Sequence, residues 1–174
     1  MKHLTRLALF LALLVAAATP AAAQQGGPRQ AFTVTATNRT AAQAPQGQRR
    51  DDRARPGDLV RYRLVFTNVT PGAVRGVTLA NPLAPGMRFV GGSARADRTD
   101  ARLEYSADGG RTFSAQPMEE VVVDGQRVRR PVAPERYTHV RWTVDGNVAP
   151  GATVVAEFDA RVGAGTPAPA TSGR

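Results

Sequence analysis

His139 is the only histidine beyond residue 23 and the first residue to test for chemistry. A Ser-His-Asp site would need it beside a serine nucleophile and an orienting carboxylate. It sits in an alternating segment next to inward Val140 and is predicted to face outward. No Gly-x-Ser-x-Gly elbow accompanies it. One imidazole is also too few for zinc, which takes three or four protein ligands. Acidic pairs occur at Asp51-Asp52, at Asp97 with Asp100, and at Glu119-Glu120. None has the D-x-D-x-D-G spacing of a calcium loop, and Arg49, Arg50, Arg53 and Arg98 compete for them. Glycoside hydrolysis needs two carboxylates across a cleft, and nothing in the pattern builds one. The absence of cysteine excludes disulfides, thiol catalysis and thiolate metal sites. The chain is therefore predicted not to be an enzyme, with no catalytic residue, cofactor or metal ligand.

Arginine is the remaining chemical feature. Lys2 is the only lysine, and the formal net charge is +9. Arg49, Arg50 and Arg53 cluster in one polar stretch, and Arg127, Arg129 and Arg130 in another. These six are the candidate contacts for a partner or a polyanion. Guanidinium groups bind phosphate and carboxylate in bidentate fashion, and a basic surface draws anionic polymers. Lipopolysaccharide, acidic glycan and extracellular DNA are the ligand classes this chemistry admits. Aromatic residues are not interleaved with the arginines, so no specific nucleic-acid recognition is expected. The plainer reading is solvated charge that blocks edge-to-edge sheet pairing.

The elements that must carry these residues read as strands. Lys2 and Arg6 precede the apolar run Leu7 to Ala18, and Thr19 to Ala23 supplies small residues. This is read as a secretory signal peptide over residues 1–23, too short for a transmembrane helix of about 20 apolar residues. The mature chain is expected in the periplasm or at the cell exterior, with no transmembrane segment. Residues 24–30 read as a flexible lead-in, and 38–55 as a long mobile loop. Residues 163–174 lack core residues and read as a disordered tail. Between them, Ala31 to Thr37 alternates, with Phe32, Val34 and Ala36 on the core side. Asp58 to Asn68 alternates most strictly, with Val60, Tyr62, Leu64 and Phe66 inward and Arg61 and Arg63 outward. Tyr137 to Asp145 and Thr153 to Val162 repeat that pattern. Asp108-Gly109-Gly110 and Asp124-Gly125 are hairpin signals. The prediction is an all-β antiparallel sandwich of seven to nine strands over residues 31–162.

The order of motifs narrows this further. Pro56-Gly57-Asp58, Thr67-Asn68, Asn81-Pro82-Leu83 and Gly86-Met87-Arg88-Phe89-Val90 follow one another, and Trp142 to Val162 closes the series. Residues 56–162 thus resemble the bacterial conserved repeat domain, also called domain of unknown function 11. The resemblance implies an immunoglobulin-like sandwich in an exported or cell-surface protein, and it carries over no functional residue. This chain holds one copy where the family usually has tandem repeats, and Asn81 replaces the commoner Asp. Ser106 to Phe113 (SADGGRTF) separately resembles the Asp-box hairpin of sialidase-like propellers. Propellers need four or more blades and one copy is present, so it is read as a plain hairpin turn. The expected role is a non-catalytic envelope or extracellular module for protein interaction or structure. The alternative is an arginine-mediated binder of anionic envelope polymers.

Overall fold

The computed structural model describes residues 31–45 and 53–164. The signal, the lead-in, Arg49, Arg50 and residues 165–174 of the tail lie outside the described residues. Within them the protein is all-β, with ten strands in three antiparallel sheets and two single helical turns. The strands are β1 Phe32–Asn38, β2 Leu59–Thr67, β3 Val77–Pro82, β4 Met87–Phe89, β5 Arg95–Ala96, β6 Ala101–Ser106, β7 Met118–Val123, β8 Gln126–Pro131, β9 His139–Val144 and β10 Thr153–Val162. One sheet has the order β1-β2-β10-β4, with β5 also on β10; a second has the order β3-β9-β6; β7 and β8 pair alone.

Alternation explains the first two sheets. β2 pairs with β10 along its whole length, placing Leu64 opposite Ala156 and Tyr62 opposite Phe158. Directly opposed residues share a face, so the apolar sets of both strands point the same way. β9 supplies the facing surface with Val140, Trp142 and Val144, all at most 1% exposed. The two sheets meet there. Trp142 and Phe158 ring centres are 6.3 Å apart, and Phe89 of β4 lies 5.2 Å from Tyr105 of β6. The Trp142 indole N–H is buried without a hydrogen-bond partner.

Two buried polar residues hold the ends of β2. Asn68 donates its amide to the carbonyls of Gly72 (2.8 Å) and Val148 (2.9 Å) and accepts from the Thr70 N–H (3.0 Å) and hydroxyl (2.7 Å). At the other end, Asp58 Oδ2 accepts from the Arg55 N–H (3.0 Å) and from Asn38 Nδ2 (2.8 Å). Asn38 in turn caps the single turn α1, Arg39–Ala42, by accepting from the Ala41 N–H. The Pro-Gly-Asp and Thr-Asn motifs are thus structural ties. Both Asn38 and Asn68 also head N-x-Thr triplets, and their amides are committed to these bonds.

Several expectations are corrected. The count is ten strands rather than seven to nine, and a third sheet exists. β5 is two residues long, too short for alternation to register. The second arm of the hairpin signalled by Asp108-Gly109-Gly110 shrinks to one bridge between Ser114 and Tyr105. The stretch after Asn38 opens on α1 instead of continuing as loop, because the Asn38 cap and the Asp58 tie favour a turn. Finally, Phe32 and Val34 do share the face of Leu64, since Val34 opposes it. They nevertheless stay 43% and 41% exposed. The second sheet is narrower than the first and ends at β3, so no described strand lies over Phe32 and Val34.

These packings predict unequal mutational costs. Leu64→Ala removes a fully buried side chain and should cost about 2–5 kcal/mol. Asn68→Ala removes four hydrogen bonds of a buried side chain, including the acceptor of the Thr70 N–H, and should cost about 1–3 kcal/mol. Arg63→Ala should stay within about 0.5 kcal/mol, because its partner Glu157 keeps Arg95. Urea unfolding of the three variants measures the order; Arg63→Ala as the most damaging would contradict the assigned faces.

Candidate interaction surfaces

The β7–β8 hairpin carries the three candidate arginines that lie in one regular element. Asp124 (φ 49°) and Gly125 (φ 79°) form its turn, both left-handed, as a two-residue hairpin of type I′ requires. Alternation divides the arginines. Arg130 opposes Glu119, whereas Arg129 opposes Glu120 and Arg127 opposes Val122 on the other face. Glu119 accepts from Arg130 (3.0 Å) and from Arg136 at the base. These two guanidinium groups, Arg136 first, hold its carboxyl below the ordinary range. Arg127 and Arg129 make no ion pair among the described residues. Val122 is 70% exposed, and Val123, Val128 and Met118 are also exposed. The hairpin therefore stands clear of the body with arginine and valine both in solvent. Arg53 lies apart from it; its carbonyl accepts from Asn38 Nδ2 at 3.5 Å. The structure does not gather Arg53 with Arg127, Arg129 and Arg130 into one patch.

At the foot of the hairpin is a cleft of about 470 Å³ lined by Tyr105, Asp108, Thr112, Ser114, Met118 and Arg129. Asp108 is fully occupied by its own turn. It accepts from the N–H groups of Arg111 (3.1 Å) and Thr112 (3.0 Å) and from the hydroxyls of Thr112 (2.6 Å) and Ser106 (2.7 Å). These bonds, the Thr112 hydroxyl foremost, hold its carboxyl far below the usual carboxylate range. Phe113 packs beneath, with the Arg141 guanidinium 3.9 Å from its ring centre and His139 at its edge. His139 Nδ1 meets the Thr138 hydroxyl at 3.1 Å. The turn has the hydrogen bonding of a structural hairpin tip, and its carboxylate has no capacity left for a substrate. Among the described residues no group of three or more His, Cys, Asp or Glu is placed to hold a metal ion. No described helix is long and apolar enough to cross a membrane.

The sequence reading missed a third surface. A groove of about 420 Å³ runs between β1 and β3, lined by Phe32, Phe66, Val74, Val77, Thr78 and Ala80. β3 ends its sheet, so among the described residues one edge of its backbone has no strand partner. The Leu83 N–H donates to Thr138 at 2.8 Å, which fixes the phase: odd residues of β3 bond to β9. The N–H groups of Thr78 and Ala80 therefore point to the open edge. Alternation in β1 marked which residues share a face; it carries no information on whether another sheet covers that face.

The outward face of the large sheet is an ion-pair ladder. Arg61 binds Asp159 through two bonds of 2.8 Å, and Glu157 takes Arg63 (2.6 Å) and Arg95. The Arg61 hydrogen bond holds Asp159 below the ordinary value. Burial works against ionisation of Glu157, but Arg63, Arg95 and Arg61 together still depress it. No protein-family model matches the chain, and no curated protein matches it.

The depressed carboxyls set a pH dependence. Each binds protons less readily folded than unfolded, so its stabilisation is present above the unfolded value and lost as pH falls. Thermal unfolding should be level from pH 7 to 5 and weaken below about pH 4. Asp108→Asn should make that acid-side fall shallower. A midpoint that rises on acidification would contradict the assignment.

Proposed function

We propose that this chain is a single-copy, immunoglobulin-like member of the bacterial conserved repeat domains, exported to the envelope or exterior. It works there as a non-catalytic protein-interaction module. The paired sheets and the ordered motifs from Pro56 to Val162 support the fold reading. The observation that carries the function is the open edge of β3 beside the uncovered apolar face of β1.

The occupant we assign is one extended segment of a partner protein, with large apolar side chains at alternate positions. Its backbone would pair with Thr78 and Ala80, the sheet-edge mode of peptide capture. Its side chains would fill the groove over Phe32 and Phe66. Residues 24–30, 46–52 and 165–174 contain no Val, Leu, Ile, Met or aromatic residue, so they lack the chemistry to fill it.

A photocrosslinker placed at Thr78 and, separately, at Ala80 in the expressing cell tests this. The expected adducts map two residues apart in one partner segment of alternating apolar pattern. Phe32→Glu, a change at a part-exposed lining residue of the groove, should abolish them. Adducts to residues 1–23 of this chain or to a second copy would overturn the reading.

A second reading has its own support, since Arg127 and Arg129 project on the hairpin and make no ion pair among the described residues. These two arginines would bind an anionic polymer. The affinity for heparin, used as the probe, should then fall steeply between about 50 and 200 mM salt. Arg127→Ala with Arg129→Ala should weaken it. Salt-independent binding would remove this reading.

A further inference from the structure

β1 is the outermost strand of the large sheet, and among the described residues its far side has no strand partner. The Thr67 N–H donates to the Ala31 carbonyl at 2.8 Å, and Phe32 lies opposite Phe66. Hydrogen-bonded positions alternate along an antiparallel pair. Thr33, Thr35 and Thr37 therefore bond to β2, and the N–H and C=O groups of Phe32, Val34 and Ala36 point to the open edge. Every residue from Phe32 to Thr37 is exposed. Long edges of this kind pair with other chains unless charge, proline or a bulge prevents it. β1 runs seven residues, and of the strands that end a sheet it alone carries neither charge nor proline.

The strand is complementary to itself. A two-fold axis at Val34 would set Val34 against Val34 of a second copy, and Phe32 against the small Ala36. Each such pair exchanges both of its main-chain bonds. On the outer face Thr33 would lie beside Thr35 of the second copy, and Thr–Thr pairs across strands are favourable. Phe32 and Val34, 43% and 41% exposed, would gain apolar neighbours across the joint. No like charges would meet there. The arginines of the adjoining strand, Arg61 and Arg63, are already matched by Asp159 and Glu157.

We infer that β1 joins two copies of this chain edge to edge, antiparallel and centred on Val34, so that their large sheets become one. The joint uses the main chain of β1 and leaves that of β3 free. It goes beyond strand capture and can fail independently of it.

Sedimentation of the purified protein over a range of concentrations tests this, with two double variants on the outer face that leave Phe32 untouched. Thr33→Glu with Thr35→Glu opposes like charges across the joint while lowering the net positive charge. Thr35→Glu also places a carboxylate opposite Arg63 of its own chain, which favours the fold. Thr33→Lys with Thr35→Glu opposes unlike charges in the same register. Wild type and the Lys/Glu variant should approach twice the mass of the Glu/Glu variant, which should stay monomeric. A wild type that is monomeric throughout, a Glu/Glu variant that pairs as wild type does, or a Lys/Glu variant that stays monomeric would overturn the inference. Amide exchange at Val34 of wild type needs no variant to fold. It should be about tenfold slower once about nine chains in ten are paired, and fast exchange at every concentration would equally overturn the inference.

Discussion

The pairing of β2 with β10 is the constraint on which the rest depends. It runs the length of β2 and sets two faces at once. Inward it aligns Leu64, Ala156, Phe158 and Ala160 beneath Trp142 of the opposite sheet. Outward it aligns Arg61 with Asp159 and Arg63 with Glu157. A slip of one residue would exchange these sets, burying the charges and exposing the core. The buried ties at Asp58 and Asn68 sit at the two ends of β2 and oppose such a slip. No disulfide is available to do so, since the chain has no cysteine.

Much of this was legible before the structure. β2, β9 and β10 each present apolar residues at every second position, and all three lie where that period places them. The hairpin of β7 and β8 was readable from Asp124-Gly125, because few pairs accept two left-handed residues in succession. What escaped reading is relational. β5 is too short to carry a period. The cap at Asn38 depends on Asp58, twenty residues away. Phe32 and Val34 have the pattern of core residues, yet their burial depends on the width of a different sheet. Arg127, Arg129 and Arg130 look like one cluster in sequence, but alternation places Arg130 on the far face beside Glu119. Arg49 and Arg50 lie outside the described residues.

The unequal width of the two sheets gives the functional account its shape. The larger sheet extends one strand beyond the smaller, which leaves apolar surface on β1 and an open edge on β3 side by side. Either alone would be ordinary; exposed apolar residues are common on protein surfaces, and every open sheet has edges. Together they form the place of one missing strand. The opposite face has a different logic. Its charges are matched across the strands, Arg61 with Asp159 and Arg63 and Arg95 with Glu157, so that face is polar where the face of β1 is apolar.

The most direct measurement of the open edge is residue-resolved amide hydrogen exchange on the free protein. Leu79 donates toward β9, whereas Thr78 and Ala80 point to the vacant side. The account predicts strong protection at Leu79 and fast exchange at Thr78 and Ala80. Comparable protection at all three would mean that the edge is already covered, and would contradict strand capture as the function.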